Sequence, residues 1–289
     1  MFHTRLISCL CLISIVVILI GAAVGARAQE APILHYPLDE GQGKVAADTS
    51  GNKLDGVVSA AWADSPSGKA LSFDGQPAGI VKVQLPLEKR FGKDSWTFSA
   101  WVKPRQFTID DPQNQRRIFS FGTYPDASLV IDILSNGQLS FYFCYRPSQA
   151  GATISAGGSS AAGLKTGQWA HVALVCDRKM GQVETYINGF GQGVTALPPD
   201  FAGDFALGGK LTLGNGWHNY WGLMDEVKVY RRALPRAEVK AEFARLKGTF
   251  DVTESPEAAT AEKREALMDA FAKTHDAWTA GDYAGVRTV

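Results

Sequence analysis

The run WGLMDEVKVYRRALPRAEVKAEF, residues 221–243, holds an acidic pair inside a strand-like pattern. Counted by twos, Leu223, Asp225, Val227 and Val229 fall on one side, and Met224, Glu226, Lys228 and Tyr230 on the other. The Leu/Val side should face a core, where a carboxylate needs a hydrogen-bond network, a cation or a metal. Two outcomes are open: the strand bulges and turns Asp225 outward, or a neighbour pairs with it. A second oxygen-rich stretch, DTSGN at 48–52, is a tight acidic turn offering Asp48, Ser50, the Gly51 backbone and Asn52. Calcium takes such side-chain and carbonyl oxygens from turns. The plainer account has Asp48 and Asn52 capping the turn through their own backbone, with Asp225 bonded to backbone amides.

Glycoside hydrolysis needs two carboxylates facing each other across a sugar-sized gap. Asp225 and Glu226 are adjacent and point to opposite faces, while Asp110-Asp111 sit in TIDDPQNQRR beside Pro112 and two arginines, which reads as a solvated loop. G-x-S-x-G is absent, and His35, His171, His218 and His275 are scattered without H-E-x-x-H spacing. Hydrolase and transition-metal chemistry are therefore not expected. Ligand contacts are expected from GWHNYWG (216–222) and SFYFCYRP (140–147). Trp217, His218, Asn219 and Tyr220 precede a strand and should lie in a rim loop. There an indole or phenol stacks on a sugar face while Asn and His bond its hydroxyls. Tyr142 and Arg146, outward by parity, join them. The competing account has these aromatics covering the sheet edge or packing on a C-terminal helix.

Short β runs broken by turn residues must position these groups. IVKVQL (80–85) alternates, and SWTFSAWVKP (95–104) puts Trp96, Phe98, Ala100 and Val102 on one side before Pro104 closes it. Residues 127–146 form a hairpin turning at Ser135-Asn136-Gly137, because Asn-Gly accepts positive φ. Residues 169–189 form a second, turning at Lys179-Met180-Gly181, and 210–216 and 221–230 supply the last strands. Between the hairpins, SQAGATISAGGSSAAGLKTG (148–167) reads as a long, small, polar loop. The pattern predicts an antiparallel β-sandwich with a C-terminal helical extension. LPRAEVKAEFARLK (234–247) is the first helix, followed by a polar linker at 248–256 without apolar anchors. A second helix at 257–282 carries the stripe Leu267, Phe271 and Trp278, which a partner chain or further module should cover.

At the other end, Leu6–Val24 is apolar and Ala26-Arg27-Ala28 offers a small-x-small cleavage site, the layout of an export signal over 1–28. The run is also long enough to remain as an anchor; the site's distance from the run favours cleavage, and a periplasmic, cell-surface or secreted location. Cleavage removes Arg5 and Arg27, leaving 27 basic against 29 acidic residues, a formal −2. Such a surface gives no reason to expect nucleic acid or an anionic membrane as partner. Cys144 and Cys176 remain, and parity sets Cys176 toward the core and Cys144 away from it, so free thiols are favoured over a disulfide.

The order of motifs resembles the laminin-G-like (concanavalin A-like) jelly-roll domains of secreted bacterial proteins. The carrying residues are LHYPLDEGQGKVAADTSGNKLDG (34–56), ALSFDG (70–75), WTFSAWVKP (96–104), WAHVALVCD (169–177), ETYINGF (184–190) and GLMDEVKVYRRAL (222–234). The resemblance covers the domain taken as 29–247 and implies a concave and a convex sheet with ligand loops at the rim. It makes Trp221 a buried core aromatic and His171 a satisfied structural imidazole. It places a structural calcium between the N-terminal turn and the last strand, where Asp48, Asn52 and Asp225 stand. The Glu-x-Asp-x-x-Glu triplet of related β-glucanases is missing. The fold alone does not fix a function. The expectation is an exported, non-catalytic recognition module for a glycan; a protein-interaction or adhesion module, and the targeting part of a longer enzyme, are the alternatives.

Overall fold

The computed structural model describes residues 30–252, apart from 78, 108–114, 148–150, 200, 202, 206–208 and 215–217, together with Lys263. The signal segment 1–28 and the stripe Leu267, Phe271 and Trp278 lie outside the described residues. The chain divides into Met1–Ala31 and Pro32–Val289, and all the elements below belong to the second unit. Its first half contributes β1 (Leu34–Tyr36), β2 (Val45–Ala46), β3 (Gly56–Val58), β4 (Ala61–Ser65), β5 (Gly68–Asp74), β6 (Val81–Gln84), β7 (Trp96–Pro104) and β8 (Gln115–Thr123). The second half contributes β9 (Ala127–Leu134), β10 (Gln138–Tyr145), β11 (Ile154–Gly163), β12 (Ala170–Asp177), β13 (Gln182–Ile187), β14 (Phe190–Ala196), β15 (Lys210–Leu213), β16 (Trp221–Tyr230) and the helix α1 (Arg236–Leu246).

The strands form two antiparallel sheets. Sheet 1 runs β14-β13-β12-β7-β16-β5-β4 with β1 also on β16, and sheet 2 runs β11-β10-β9-β8-β15-β6-β3-β2. Period-two alternation turns Trp96, Phe98, Phe119, Phe121, Phe141 and Phe143 into one core between the sheets, all essentially inaccessible to water. Rings interlock there: Phe98 lies 4.8 Å from Phe119, and Phe91 stacks on Trp96 at 5.2 Å. Burying each such side chain stabilises the fold by about 1.5–3 kcal/mol. Asn136-Gly137 and Asn188-Gly189 are both turns, with positive φ at Gly137, Asn188 and Gly189.

Segment 148–167 departs from its loop reading. Ile154–Gly163 is a strand paired with β10 from Gln138↔Gly163 to Tyr145↔Ile154. Its Gly, Ser and Ala side chains show no hydrophobic alternation, so the ladder rather than propensity sets its conformation. Gly158 is also a close approach, since a Cβ there would stand 2.4 Å from Thr195 Oγ1 on β14. Cys176 joins the inter-sheet core, whereas Cys144 is buried outside it, and both are free thiols.

Helix α1 begins after Pro235 and packs on the outer face of sheet 1 through Val239 and Phe243. The linker is not bare of anchors. Phe250 stacks flat on Trp101 at 4.1 Å and meets Trp169 at 4.9 Å, so the packed unit reaches Val252 rather than ending at 247. No helix among the described residues is long and apolar enough to cross a membrane.

Candidate functional site

Asp225 takes both of the outcomes left open. The pairing of β16 with β7 shifts between Asp225 and Lys228, and Glu226 sits at φ 49°. This bulge adds one residue and reverses the alternation. Met224, Val227 and Val229 therefore face the inter-sheet core, while Leu223 belongs to the outer cluster under the helix. It falls where the other edge of β16 passes from β5, paired over 221–224, to β1, paired over 227–229. Asp225 is nonetheless fully buried. Its Oδ2 accepts from the hydroxyls of Ser65 (2.6 Å) and Ser67 (2.5 Å), and its Oδ1 from the Glu226 amide (2.8 Å). Burial pushes its carboxyl up to about 7 against the pull of these donors.

Asp48 and Asn52 hold the turn between them. Asp48 accepts from the amides of His35, Ser50 and Leu54, each at 3.0 Å, and from the Ser50 hydroxyl at 2.8 Å. Burial raises its carboxyl, but these four bonds outweigh it and hold the group below its ordinary value. The Asn52 carboxamide oxygen accepts from the Lys89 ammonium at 2.7 Å, and its nitrogen donates to Ile33 O. Among the described residues, neither shares a direct hydrogen bond with Asp225. Ser50 thus joins Asp48 to Asn52, and His35 connects this turn to the Asp225 strand: its amide donates to Asp48 and its Nε2 lies 3.2 Å from Glu226 Oε2.

The aromatic segment before β16 is also placed differently from expectation. Trp217 lies outside the described residues. Tyr220 is not an exposed phenol: its ring packs on Phe73 at 5.6 Å, its hydroxyl donates to Leu223 O (3.0 Å), and burial raises its pKa. His218 is buried, and its carbonyl accepts from the Arg117 amide (2.7 Å). Trp221, expected in the core, is half-buried, with the Arg116 guanidinium 5.9 Å over its ring. The bulge accounts for this, because the alternation that would turn Trp221 inward holds only beyond Glu226. Asn219 forms a parallel bridge with Arg117, and its carbonyl accepts from Arg116 Nη1 at 3.2 Å.

That bridge leads to the outer face of sheet 2. Across neighbouring strands the register reads Ser159↔Ser140, Ser140↔Asp132, Asp132↔Arg117 and Arg117↔Asn219, a polar row over β11, β10, β9 and β8. Arg117 and Asp132 form a fork, Nε to Oδ1 at 2.9 Å and Nη2 to Oδ2 at 3.0 Å, with side chains 15% and 5% exposed. Tyr142, two residues from Ser140 on the same face, is 40% exposed. The register Tyr142↔Val130↔Ser120↔Thr212↔Lys82↔Val57 makes the adjacent row. Arg146 lies past the end of β10 and pairs with Asp126 of the β8–β9 turn (2.5 Å). Arg116 and Arg117, read from sequence as part of a solvated loop, open β8 instead. The signal that finds Arg117 is Asp132, a carboxylate inside the apolar strand ASLVIDIL that needs a cation for the reason applied to Asp225.

Two antiparallel sheets face to face over one aromatic core, joined by tight hairpins, define the jelly-roll class of β-sandwich. The family model described as the concanavalin A-like lectin/glucanases superfamily, of laminin-G type, matches residues 79–240, and the chain belongs to that family. Among solved structures, the binding domain of Paraclostridial Mosquitocidal Protein 1 is similar at TM-score 0.59 and 16% identity, covering 74% of this chain and 52% of that one. The binding domain of botulinum neurotoxin DC, in complex with rat synaptotagmin II, is similar at TM-score 0.54 and 18% identity, covering 75% and 52%. Domain 4 of AbnA, a GH43 extracellular arabinanase from Geobacillus stearothermophilus, in complex with arabinotriose, is similar at TM-score 0.50 and 24% identity, covering 74% and 98%. The chain spans about half the length of the toxin domains, and these likenesses are of fold. No curated protein matches the chain.

Proposed function

We propose that this domain is an exported, non-catalytic recognition module that takes a glycan on the outer face of sheet 2. One observation carries the reading: the exposed ring of Tyr142 stands beside the Ser140–Asp132–Arg117–Asn219 row. A sugar presents an apolar C–H face and an edge of hydroxyls that both donate and accept. An exposed phenol ring supplies a stacking surface, and hydroxyl, guanidinium and carboxamide groups supply partners of both senses. The Arg117–Asp132 fork is already formed, so binding would not have to order those side chains. With both oxygens engaged by Arg117, Asp132 is poorly set up as a nucleophile or proton donor, which favours recognition over hydrolysis.

Calorimetric titration with a panel of neutral oligosaccharides tests the reading, with arabinotriose the first probe because a protein of the same fold is solved with it. Tyr142→Ala should weaken binding about tenfold, the loss of about 1.4 kcal/mol of stacking. No heat with any glycan, together with saturable binding of an extracellular protein, would replace this reading with the adhesion one.

A further inference from the structure

The outer face of sheet 1 carries a cross-strand row of a different kind. His171 and Asp225 both sit opposite Trp101, on the two strands that flank β7, giving His171–Trp101–Asp225. The His171 imidazole is buried, with its ring centroid 5.6 Å from that of Trp101 and 6.3 Å from that of Phe243 on α1. Its Nδ1 is buried with no hydrogen-bond partner among the described residues. A neutral imidazole tolerates that pocket, but an imidazolium has two N–H groups and a charge to solvate.

The walls of the pocket differ in what holds them. β7 and β12 are locked by a seven-pair ladder, whereas α1 is an eleven-residue helix with only Val239 and Phe243 buried. Much of its attachment is charged. Glu242 binds Lys228 and the Tyr230 hydroxyl, Arg245 binds Glu226 (2.7 Å), Arg236 binds Glu184 (3.1 Å), and Glu238 binds Arg232 (2.6 Å). We propose that α1, with the turn through Val252, is an acid-released strap: protonation of His171 lifts it from sheet 1 and bares Trp101 and Trp169, while the sandwich stays folded.

The groups facing the pocket agree with this direction. Burial holds His171 down to about 4; Glu242 and Glu226 raise it, and Lys228 and Arg245 lower it further. A histidine depressed in the folded state contributes stability that is complete above its free value of about 6.5 and is lost as pH falls toward the folded value. Burial raises the Glu242 carboxyl, but Lys228, Arg245 and Tyr230 outweigh it and hold the group low, so its contribution also disappears on acidification. Asp225 acts oppositely. Its carboxyl is raised, so its contribution is present in acid and lost as pH rises toward about 7. It steadies the Ser65–Ser67 turn in acid and does not drive release.

Segment-resolved hydrogen exchange, corrected for the intrinsic effect of pH, tests the strap in the full chain at neutral pH and at about pH 4. Residues 236–252 should lose protection by about tenfold or more in acid while β9 and β10 keep theirs. Strap and sandwich opening together, or a strap as protected in acid as at neutrality, would overturn the proposal. His171→Leu should keep the strap protected in acid, and acid release in that variant would also overturn it. If that variant does not fold, NMR titration of His171 in the wild type decides: a midpoint coinciding with loss of strap protection supports the proposal, and titration near the free-histidine value with the strap in place sinks it.

Discussion

The row His171–Trp101–Asp225 lies on the outer face of sheet 1 under α1 and Phe250, while the row Ser140–Asp132–Arg117–Asn219 lies on the outer face of sheet 2 beside an exposed tyrosine. Each row contains a carboxylate sunk almost completely below the surface. On sheet 1 the partners are two serine hydroxyls and an amide, and the carboxyl rises to about 7. On sheet 2 the partner is a guanidinium fork. The lesson is that a β-sandwich can make either outer face interior. A helix covers one and closes it to ligand, whereas side-chain pairing satisfies the other and leaves part of it accessible.

The sharpest way to break this contrast is to truncate one aromatic on each face. Trp101→Ala should cost about 3–5 kcal/mol by denaturant unfolding, because the ring is buried beneath Phe243 and Phe250. Tyr142→Ala should change stability by no more than about 0.5 kcal/mol. Similar losses from the two would mean that the second face is also interior. A smaller effect separates two ion pairs near sheet 2. Arg117→Ala strands a carboxylate that is 5% exposed and should cost about 3 kcal/mol, part of which adding Asp132→Asn should restore. Of the two arginines, Arg146 has the smaller effect when replaced by Ala. Its partner Asp126 is 49% exposed, so the loss should stay under about 1 kcal/mol. An equal cost for the two arginines would show that burial is not what distinguishes the pairs.

Much of this architecture is readable from residue order. Alternation around Trp96, Phe98, Phe141 and Phe143, with two Asn-Gly turns, points to the hairpins and the core they enclose. Alternation is also where the reading fails, because it assumes an unbroken frame. The extra residue at Glu226 turns Met224 inward and leaves Leu223 outside, and a residue with φ 49° in mid-strand carries no compositional mark. Edge strand β11 is hidden for the opposite reason: its pairing is made by backbone, which Ser, Ala and Gly neither advertise nor oppose. Of the expected contact residues, Tyr142 and Asn219 stand in or beside the polar row, whereas His218 and Tyr220 turn inward and Arg146 is paired elsewhere. Arg117 is missed because a charged pair at the head of a strand looks like the end of a loop until a buried carboxylate across the ladder asks for it.

The position of β16 has a consequence in time. Chain synthesis reaches this strand after every other described strand, yet it lies between β7 on one edge and β5 with β1 on the other. Before residues 221–230 emerge, sheet 1 exists as separate pieces with unpaired edges, and β1 waits across nearly the whole domain for its neighbour. Long-range pairing of this kind is slow to form and leaves edges open to wrong partners meanwhile. Sheet 1 is therefore completed late, when one strand docks between the pieces already made, whereas sheet 2 does not need that strand.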